Sequence, residues 1–174
     1  FFWCSGCGNG IVMGCIFRAM EESGFSRENT VVVTGIGCWG KADDYFTTHA
    51  FHGTHGRALP VATGIKSANP SLNVVALVGD GDGATIGGNH LIHAARRNAD
   101  ITVIMSNNNN YGMTGGQYSG TTPFGAITST SRYGHTEDEF DVSELVKTAG
   151  AGYVAKGTIA DPLQLQKFIE KAFK

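Results

Sequence analysis

A Gly-Asp-Gly turn between two short apolar segments constrains this chain more than any other feature. The segment NVVALVG is rich in β-branched residues, ends in glycine and predicts a buried strand over positions 74–78. Positions 79–83 predict a loop, positions 87–98 a helix, and positions 101–105 a second buried strand. A strand, a helix and a strand in this order form a crossover unit. We therefore expect two parallel strands joined by a right-handed connection.

Two oxygen-bearing side chains follow these predicted strands. Asp80 comes directly after the first strand, and Asn108 comes soon after the second. Neighbouring parallel strands lie about 4.8 Å apart, and open α/β sheets bind ligands at their carboxyl ends, so the two side chains should meet there. A carboxylate and an amide oxygen suit Mg²⁺, with phosphate oxygens and water completing its shell. The glycines and the start of the following helix would offer backbone N–H groups to a phosphate.

The spacing of these residues resembles a known cofactor motif. Gly-Asp-Gly at 79–81 is followed, after 25 intervening residues, by Asn107 and Asn108, which resembles the thiamine diphosphate motif of GDG and a later NN. Two flanking segments resemble the β subunit of 2-oxoacid:ferredoxin oxidoreductases, the 2-oxoglutarate type in particular: IGGNHLIHAARRN at 86–98 and YGMTGGQ at 111–117. The resemblance covers most of positions 3–157. It implies one α/β domain over 1–174, with a mainly parallel sheet, helices on both faces and the thiamine diphosphate-binding fold.

The motif has two possible registers, because a second Gly-Asp-Gly centred on Asp82 and the next pair of asparagines fit the spacing equally well. In the family, NN is followed by one variable residue, one aliphatic residue and then YG. Counting back from Tyr111 implies that Asn108 is a Mg²⁺ ligand. That register pairs Asn108 with Asp80 rather than Asp82. The backbone carbonyl of Asn110 completes the implied set, although the family usually has Ile or Val at this position.

The resemblance also implies which residues contact the cofactor and which act on the substrate. The implied cofactor contacts are Cys38, Gly79, Asp80, Gly81, Asp82, Gly83, Asn108, Tyr111, Gly112, Met113 and Thr114. FHGTHGRALPVATGIK at 51–66 resembles the family as well. Its His55 and Arg57 are candidate catalytic residues that would face the cofactor or the substrate carboxylate. Ordinary loop contacts are the alternative for both, and we weigh the two evenly.

Three of the four cysteines lie in glycine-rich loops: Cys4, Cys7 and Cys38. Cys15 instead falls on the apolar side of the predicted first helix and is expected in the core. In a cytosolic protein, C-x-x-C is more often a metal or redox site than a structural disulfide. The residues alone leave open an iron–sulfur cluster, a zinc site completed by a histidine of 49–55, and a disulfide. The resemblance implies three ligands of a [4Fe–4S] cluster, with the fourth cysteine outside this chain.

The remaining segments alternate between helices and strands. Helices are predicted at 11–22, at 142–149 with Asp141 as N-cap, and from Asp161-Pro162 to 172, and strands at 30–35 and 152–156. Positions 118–134 are rich in Ser, Thr and Gly and predict an irregular segment. The resemblance implies that this segment covers the cofactor.

Composition limits the partners. The 174 residues are 41% hydrophobic, which suits one domain with a sizeable core, and a formal charge of −2 gives no reason to expect nucleic acid or an anionic membrane. No apolar run approaches the length of a membrane span, and no signal peptide is visible. We therefore expect a cytoplasmic protein. The chain begins without methionine, which suggests a fragment or a processed piece.

The sequence interpretation is the β subunit of a 2-oxoacid:ferredoxin oxidoreductase. Thiamine diphosphate, Mg²⁺ and a [4Fe–4S] cluster would serve coenzyme A-dependent oxidative decarboxylation of a 2-oxoacid, with 2-oxoglutarate favoured and electrons passing to ferredoxin. The family resemblance places the pyrimidine side of the cofactor on a separate α subunit, so we expect an obligate hetero-oligomer with contacts near Trp39 and Met113. The alternatives are a non-redox thiamine-dependent decarboxylase or carboligase, and a non-catalytic zinc-binding module.

Overall fold

The computed structural model describes residues 2–174, in which one sheet of four parallel strands forms the centre. The strands are β1 (Thr30–Thr34), β2 (His49–His52), β3 (Asn73–Gly79) and β4 (Thr102–Ser106), in the spatial order β2-β1-β3-β4. Every neighbouring pair is parallel, with Thr34 opposite Leu77 and Gly79 opposite Ser106. The predicted α/β class with a parallel sheet is confirmed.

Helices cover both faces of the sheet. They are α1 (Asn9–Glu22), α2 (Ala58–Ala68), α3 (Gly88–Arg96), α4 (Val142–Ala149) and α5 (Pro162–Ala172), with a 3₁₀ helix over Trp39–Tyr45. Alternation along the strands divides the core in two. Val32 and Leu77 pack with α1 and α5 on one face. Val33 and Val78 pack with α2 and α3 on the other.

The two central strands, β1 and β3, could be predicted from their apolar sequence. β1 and β3 are buried on both faces, so they consist of nearly continuous apolar residues, as central parallel strands do. The edge strand β2, with the sequence HAFH, is exposed along its whole length and was not predicted. Its polar residues carry no hydrophobic periodicity, so only pairing with β1 defines it as a strand.

Two predicted elements are wrong. Positions 79–83 were expected to be a loop, but a π-helical turn over Gly81–Ile86 begins there with Asp80 at its N-cap. Positions 152–156 were expected to be a strand, but they are irregular. In this segment Gly152 N–H donates to Asn98 Oδ1 at 3.0 Å, and the Tyr153 hydroxyl donates to a carbonyl of α5 at 3.4 Å. These tertiary contacts override the local strand preference.

Helix capping was predictable from residue type. Asp141 caps α4 by accepting hydrogen bonds from two backbone N–H groups, and Asp161 caps α5 ahead of Pro162. Both helices have the bounds that the sequence predicted. Cys15 is buried in the core, as predicted.

None of the helices within residues 2–174 is both long enough and apolar enough to cross a membrane.

Candidate active site

The chain's oxygen-rich site lies where β3 and β4 end side by side. Gly79 and Ser106 are register partners at the carboxyl ends of these strands. Asp80 follows the first strand directly, and Asn108 lies two residues beyond the second. The Asn108 backbone N–H points at Asp80 Oδ1, at 3.4 Å. The structure therefore brings together the two side chains that the sequence placed at this edge.

Three oxygen atoms converge at this point. The side-chain oxygen of Asn108 faces two other acceptors, Asp80 Oδ1 and the carbonyl oxygen of Asn110, and only an amide turned by 180° would donate to them, at 2.8 Å each. Oxygens that share an octahedral Mg²⁺ lie about 2.9 Å apart, since each bond is about 2.0–2.1 Å long. The donor set therefore fits a hard cation as it stands. Without a cation, an Asn108 amide turned by 180° would donate hydrogen bonds to the other two oxygens.

Tyr111 holds the loop that carries two of these oxygens. Its ring lies against Gly81, where any side chain would collide with it, and its hydroxyl donates to the Gly81 carbonyl at 3.3 Å. Tyr111 N–H bonds to the Gln117 carbonyl at 2.9 Å, which closes the loop. Burial raises the pKa of the Tyr111 hydroxyl, which therefore remains a hydrogen-bond donor at neutral pH. Asn109 adopts a left-handed φ of 58° inside this loop.

Asp82 has a different environment from Asp80. Its carboxylate accepts hydrogen bonds from Gly56 N–H at 2.7 Å and Ile36 N–H at 3.2 Å, and it pairs with His55 Nδ1 at 2.8 Å. It is thus a clamp between the loops that follow β1 and β2. This occupancy supports the register in which Asp80 is the cation ligand. Direct contact of Asp82 with the cofactor stays a prediction.

The two candidate catalytic residues lie in different surroundings. The His55 ring meets the Tyr111 ring edge-on at 6.0 Å, beside the motif. Because its Nδ1 faces the Asp82 carboxylate, the ring keeps Nε2 as the atom available to a ligand. Arg57 is exposed and donates from Nη1 to His90 Nε2 on α3, at 2.6 Å. Burial lowers the pKa of His90, with the Arg57 charge as a further cause.

The three loop cysteines gather at one corner without forming a closed metal site. Cys4 and Cys7 are exposed at the start of α1, where Cys7 N–H donates to the Cys4 carbonyl at 3.0 Å. Trp3 Nε1–H donates to the Cys38 carbonyl at 2.6 Å and joins this loop to the one after β1. Burial raises the pKa of the Cys38 thiol, and the charges of Cys7 and Cys4 raise it further. Across residues 2–174, no three His, Cys, Asp or Glu side chains are grouped as metal ligands.

Gly112 connects the cysteine corner to the oxygen-rich site. A Cβ atom added at this glycine would lie 3.1 Å from Asn108 Nδ2 and 3.9 Å from Cys38 Sγ. The predicted cluster ligand Cys38 and the predicted cation ligand Asn108 are therefore separated by about the width of one residue.

Comparison with known proteins decides the family. Residues 28–174 match the family described as thiamine pyrophosphate enzyme, C-terminal TPP binding domain. The chain belongs to this thiamine pyrophosphate family. It is 55% identical over 172 residues to the 2-oxoglutarate synthase subunit KorB of Methanothermobacter marburgensis, covering 99% of this chain and 60% of that protein. It is also 40% identical over 170 residues to the 2-oxoglutarate oxidoreductase subunit KorB of Mycobacterium tuberculosis, covering 98% of this chain and 46% of that protein.

A solved structure matches the fold throughout. The 2-oxoglutarate:ferredoxin oxidoreductase from Magnetococcus marinus, with 2-oxoglutarate, coenzyme A and succinyl-CoA bound, superposes with a TM-score of 0.96 at 37% identity. The match covers 98% of this chain and 59% of that chain. The chain thus spans about 60% of the length of the first of these relatives. The thiamine diphosphate-binding fold expected from the sequence is confirmed.

The sequence interpretation of this thiamine pyrophosphate domain missed two site residues. The hydroxyls of Ser119 and Thr121 donate to Asp80 Oδ2 at 2.6 and 2.7 Å, and all three residues are buried. The predicted irregular segment after the motif is irregular, as expected. The sequence feature that could have revealed Ser119 and Thr121 is the run of small hydroxyl residues directly after the asparagine loop.

Trp39, near which a subunit contact was expected, is itself buried, and the contact around it stays a prediction. Trp39 is only 2% exposed, because its ring packs on Trp3 at 5.5 Å and its Nε1–H donates to the Ile104 carbonyl at 3.2 Å. The Trp39 ring therefore belongs to the hydrophobic core. Met113, in contrast, is 44% exposed.

Replacing Asp82 should chiefly affect stability. Asp82→Ala leaves Gly56 N–H, Ile36 N–H and His55 Nδ1 without their acceptor, and buried unpaired donors cost about 1–3 kcal/mol each. We expect the free energy of unfolding to fall by about 3 kcal/mol in urea denaturation. Asp44→Ala, which removes an exposed ion pair with Lys41, is the matched control and should change it by less than about 0.5 kcal/mol. Equal effects of the two substitutions would contradict the clamp.

Proposed function

We propose that this chain is the diphosphate-binding part of the β subunit of a 2-oxoacid:ferredoxin oxidoreductase acting on 2-oxoglutarate. The observation that carries the proposal is the position of Gly112 between Asn108 and Cys38. It sets a thiamine motif and a cysteine corner side by side, as a redox enzyme requires and a simple decarboxylase does not. The names of the similar proteins from Methanothermobacter marburgensis and Magnetococcus marinus support the substrate.

Mg²⁺ would be held by the carboxylate of Asp80, the amide oxygen of Asn108 and the carbonyl of Asn110. The convergence of these three oxygens supports this set. The turn over Gly81–Ile86 directly follows β3 and would offer its backbone N–H groups to the diphosphate. Thiamine diphosphate, when bound, supplies the nucleophilic carbon and the electron sink for decarboxylation.

His55 and Arg57 would act on the substrate side of this site. Asp82 holds the His55 ring so that Nε2 accepts a proton or a hydrogen bond from the reacting group. Arg57 would bind a substrate carboxylate, for which its exposed guanidinium and its neutral partner His90 leave donors available. Thr114, Met113 and Tyr111 would line the remaining cofactor surface.

Cys4, Cys7 and Cys38 would supply three ligands of a [4Fe–4S] cluster. All four cysteines of the chain are free thiols, and the three loop cysteines share one corner. A C-x-x-C that serves as a cluster site fits a reducing compartment such as the cytoplasm. A cluster there would receive electrons across Gly112 and pass them to ferredoxin. Coenzyme A would take the acyl group, and an α subunit would complete the active site.

The decisive experiment measures electron transfer from the substrate to the cluster. The full-length protein with its α partner, purified anaerobically and given thiamine diphosphate, Mg²⁺ and coenzyme A, should lose visible cluster absorbance when 2-oxoglutarate is added. Cys7→Ser should abolish this bleaching while leaving thiamine diphosphate binding intact, since Cys7 is neither one of the three cation ligands nor one of the implied cofactor contacts. Release of CO₂ without any bleaching would instead support a non-redox decarboxylase or carboligase. A stoichiometric zinc content without iron would support the zinc-binding module.

A further inference from the structure

The segment that follows the asparagine loop carries three buried hydroxyls, on Ser119, Thr121 and Thr122. Two of them donate to one oxygen of Asp80: Ser119 Oγ lies 2.6 Å and Thr121 Oγ1 lies 2.7 Å from Asp80 Oδ2. Distances this short are typical of hydroxyls that donate to a charged carboxylate.

These bonds divide the Asp80 carboxylate into two unlike halves. Oδ2 accepts both hydroxyls, whereas Oδ1 faces the amide of Asn108. Asp80 is only 1% exposed, and the salt bridges found among residues 2–174 do not include it. A buried carboxylate needs hydrogen bonds and a positive charge. The hydroxyls supply the hydrogen bonds, and Oδ1 remains directed at the place where a cation fits.

The same hydroxyl segment also fixes the loop that carries the other two oxygens. Thr122 Oγ1 donates to the Asn109 carbonyl at 2.6 Å, between the two residues that offer the amide and carbonyl oxygens. Thr121 Oγ1 lies 3.1 Å from Asn107 Oδ1 as well as 2.7 Å from Asp80. A hydroxyl has one proton, and the shorter contact to the charged oxygen takes it. One short segment thus touches both chain segments that hold the converging oxygens.

We propose that Ser119 and Thr121 are positioning residues for the divalent cation: they lock the Asp80 side chain so that Oδ1 alone faces the metal. This inference rests on the cation site in the proposed function. Without the hydroxyls, the carboxylate would rotate about its Cβ–Cγ bond and lose the single orientation that matches Asn108 and Asn110. Outer partners of metal ligands contribute about 10- to 100-fold to metal affinity.

The test measures Mn²⁺ binding to the full-length protein, purified with its α partner, in the presence of thiamine diphosphate, with free Mn²⁺ followed by electron paramagnetic resonance. Thr121→Val removes the hydroxyl at nearly constant shape and should weaken Mn²⁺ binding about 10-fold or more. Thr121→Ser keeps the hydroxyl and should bind within about 2-fold of the original protein, by the same reasoning. Ser119→Ala removes the other hydroxyl that donates to Asp80. It provides a second loss-of-donor variant, that is, a variant that lacks one of the two hydroxyl donors.

Thr30→Val is the matched control. Thr30 is as buried as Thr121, and its hydroxyl bonds to Asn29 Oδ1 at 2.9 Å in β1, away from the site. The Thr30→Val variant should bind Mn²⁺ with unchanged affinity. Thermal melts of all variants report any general loss of stability.

Each outcome has one meaning. Weakening by Thr121→Val and Ser119→Ala with rescue by Thr121→Ser supports the inference. Unchanged Mn²⁺ affinity in both loss-of-donor variants overturns it, as does a loss of affinity that Thr121→Ser or Thr30→Val shares. Failure of the original protein to bind Mn²⁺ with thiamine diphosphate overturns the cation site of the proposed function itself.

Discussion

Asp80→Ala is expected to abolish Mg²⁺-dependent binding of thiamine diphosphate. The substitution removes the one charged oxygen of the converging set and leaves the hydroxyls of Ser119 and Thr121 facing a void. Loss of an outer partner alone costs about 10- to 100-fold in metal affinity, so loss of the charged ligand should cost more than about 100-fold. Isothermal titration with thiamine diphosphate at fixed Mg²⁺ measures the effect. Asn108→Ala should behave in the same way.

Asp80→Asn tests the charge of this side chain separately from its size. The amide keeps the size of the side chain, but it halves the number of acceptor oxygens and removes the negative charge that a hard cation needs. We expect it to bind as poorly as Asp80→Ala. Its thermal melt should stay closer to that of the original protein, because Ser119 and Thr121 retain an acceptor.

Asp82→Ala is the control that decides the register. Asp82 lies two positions from Asp80 and is equally buried, but its carboxylate is bound by loop N–H groups and by His55. It should therefore weaken thiamine diphosphate binding less than Asp80→Ala does. The reverse order of the two effects would assign the cation to Asp82 and contradict the site as described.

The parts of the fold that the sequence predicted are those that depend on local composition. β1 and β3 were recognisable because a buried parallel strand needs consecutive apolar residues. The ends of α4 and α5 were recognisable because Asp141 and Asp161 accept N–H groups of the first turn. The family resemblance, through the spacing to Tyr111, implied that Asn108 lies beside Asp80, as it does in the structure, and their role as cation ligands stays a prediction.

The parts that were not predicted depend on contacts between distant segments. β2 is a strand only because it pairs with β1. Positions 152–156 are irregular because hydrogen bonds with Asn98 and α5 hold them outside the sheet. The Asp80–Ser119 bond joins residues 39 positions apart. No periodicity or propensity encodes such a pair, so the irregular hydroxyl segment looked like a cover for the site rather than part of it.

The isolated chain is expected to be catalytically silent. Thiamine enzymes activate the aminopyrimidine ring of the cofactor with a carboxylate, and the resemblance places this group on a separate α subunit. Within residues 2–174 the strands form one sheet of four, and the Asp80 and Asp82 carboxylates at its edge are already bound by protein groups. We therefore expect the chain to supply the diphosphate side of the site and a partner to supply the pyrimidine side.

Exposed apolar side chains near the site indicate where such a partner would bind. Met113 follows the asparagine loop at 44% exposure, and Phe124 and Ile127 in the next segment are 67% and 78% exposed. An apolar surface beside an active site is typical of a subunit contact. We therefore expect the α subunit to bind at this surface.

The assay compares the purified chain with and without its α partner. Thiamine diphosphate, Mg²⁺, coenzyme A and 2-oxoglutarate are supplied, and reduction of a viologen dye is followed under argon. We expect turnover by the chain alone to be below about 1% of that of the complex, because general acid–base activation typically contributes about 10²–10⁴-fold. Phe124→Ser and Ile127→Ser should weaken the rescue by the α partner. Leu163→Ser, at a 74% exposed position of α5, serves as the control and should not. Comparable rates for the isolated chain and the complex would show that this chain carries both halves of the site.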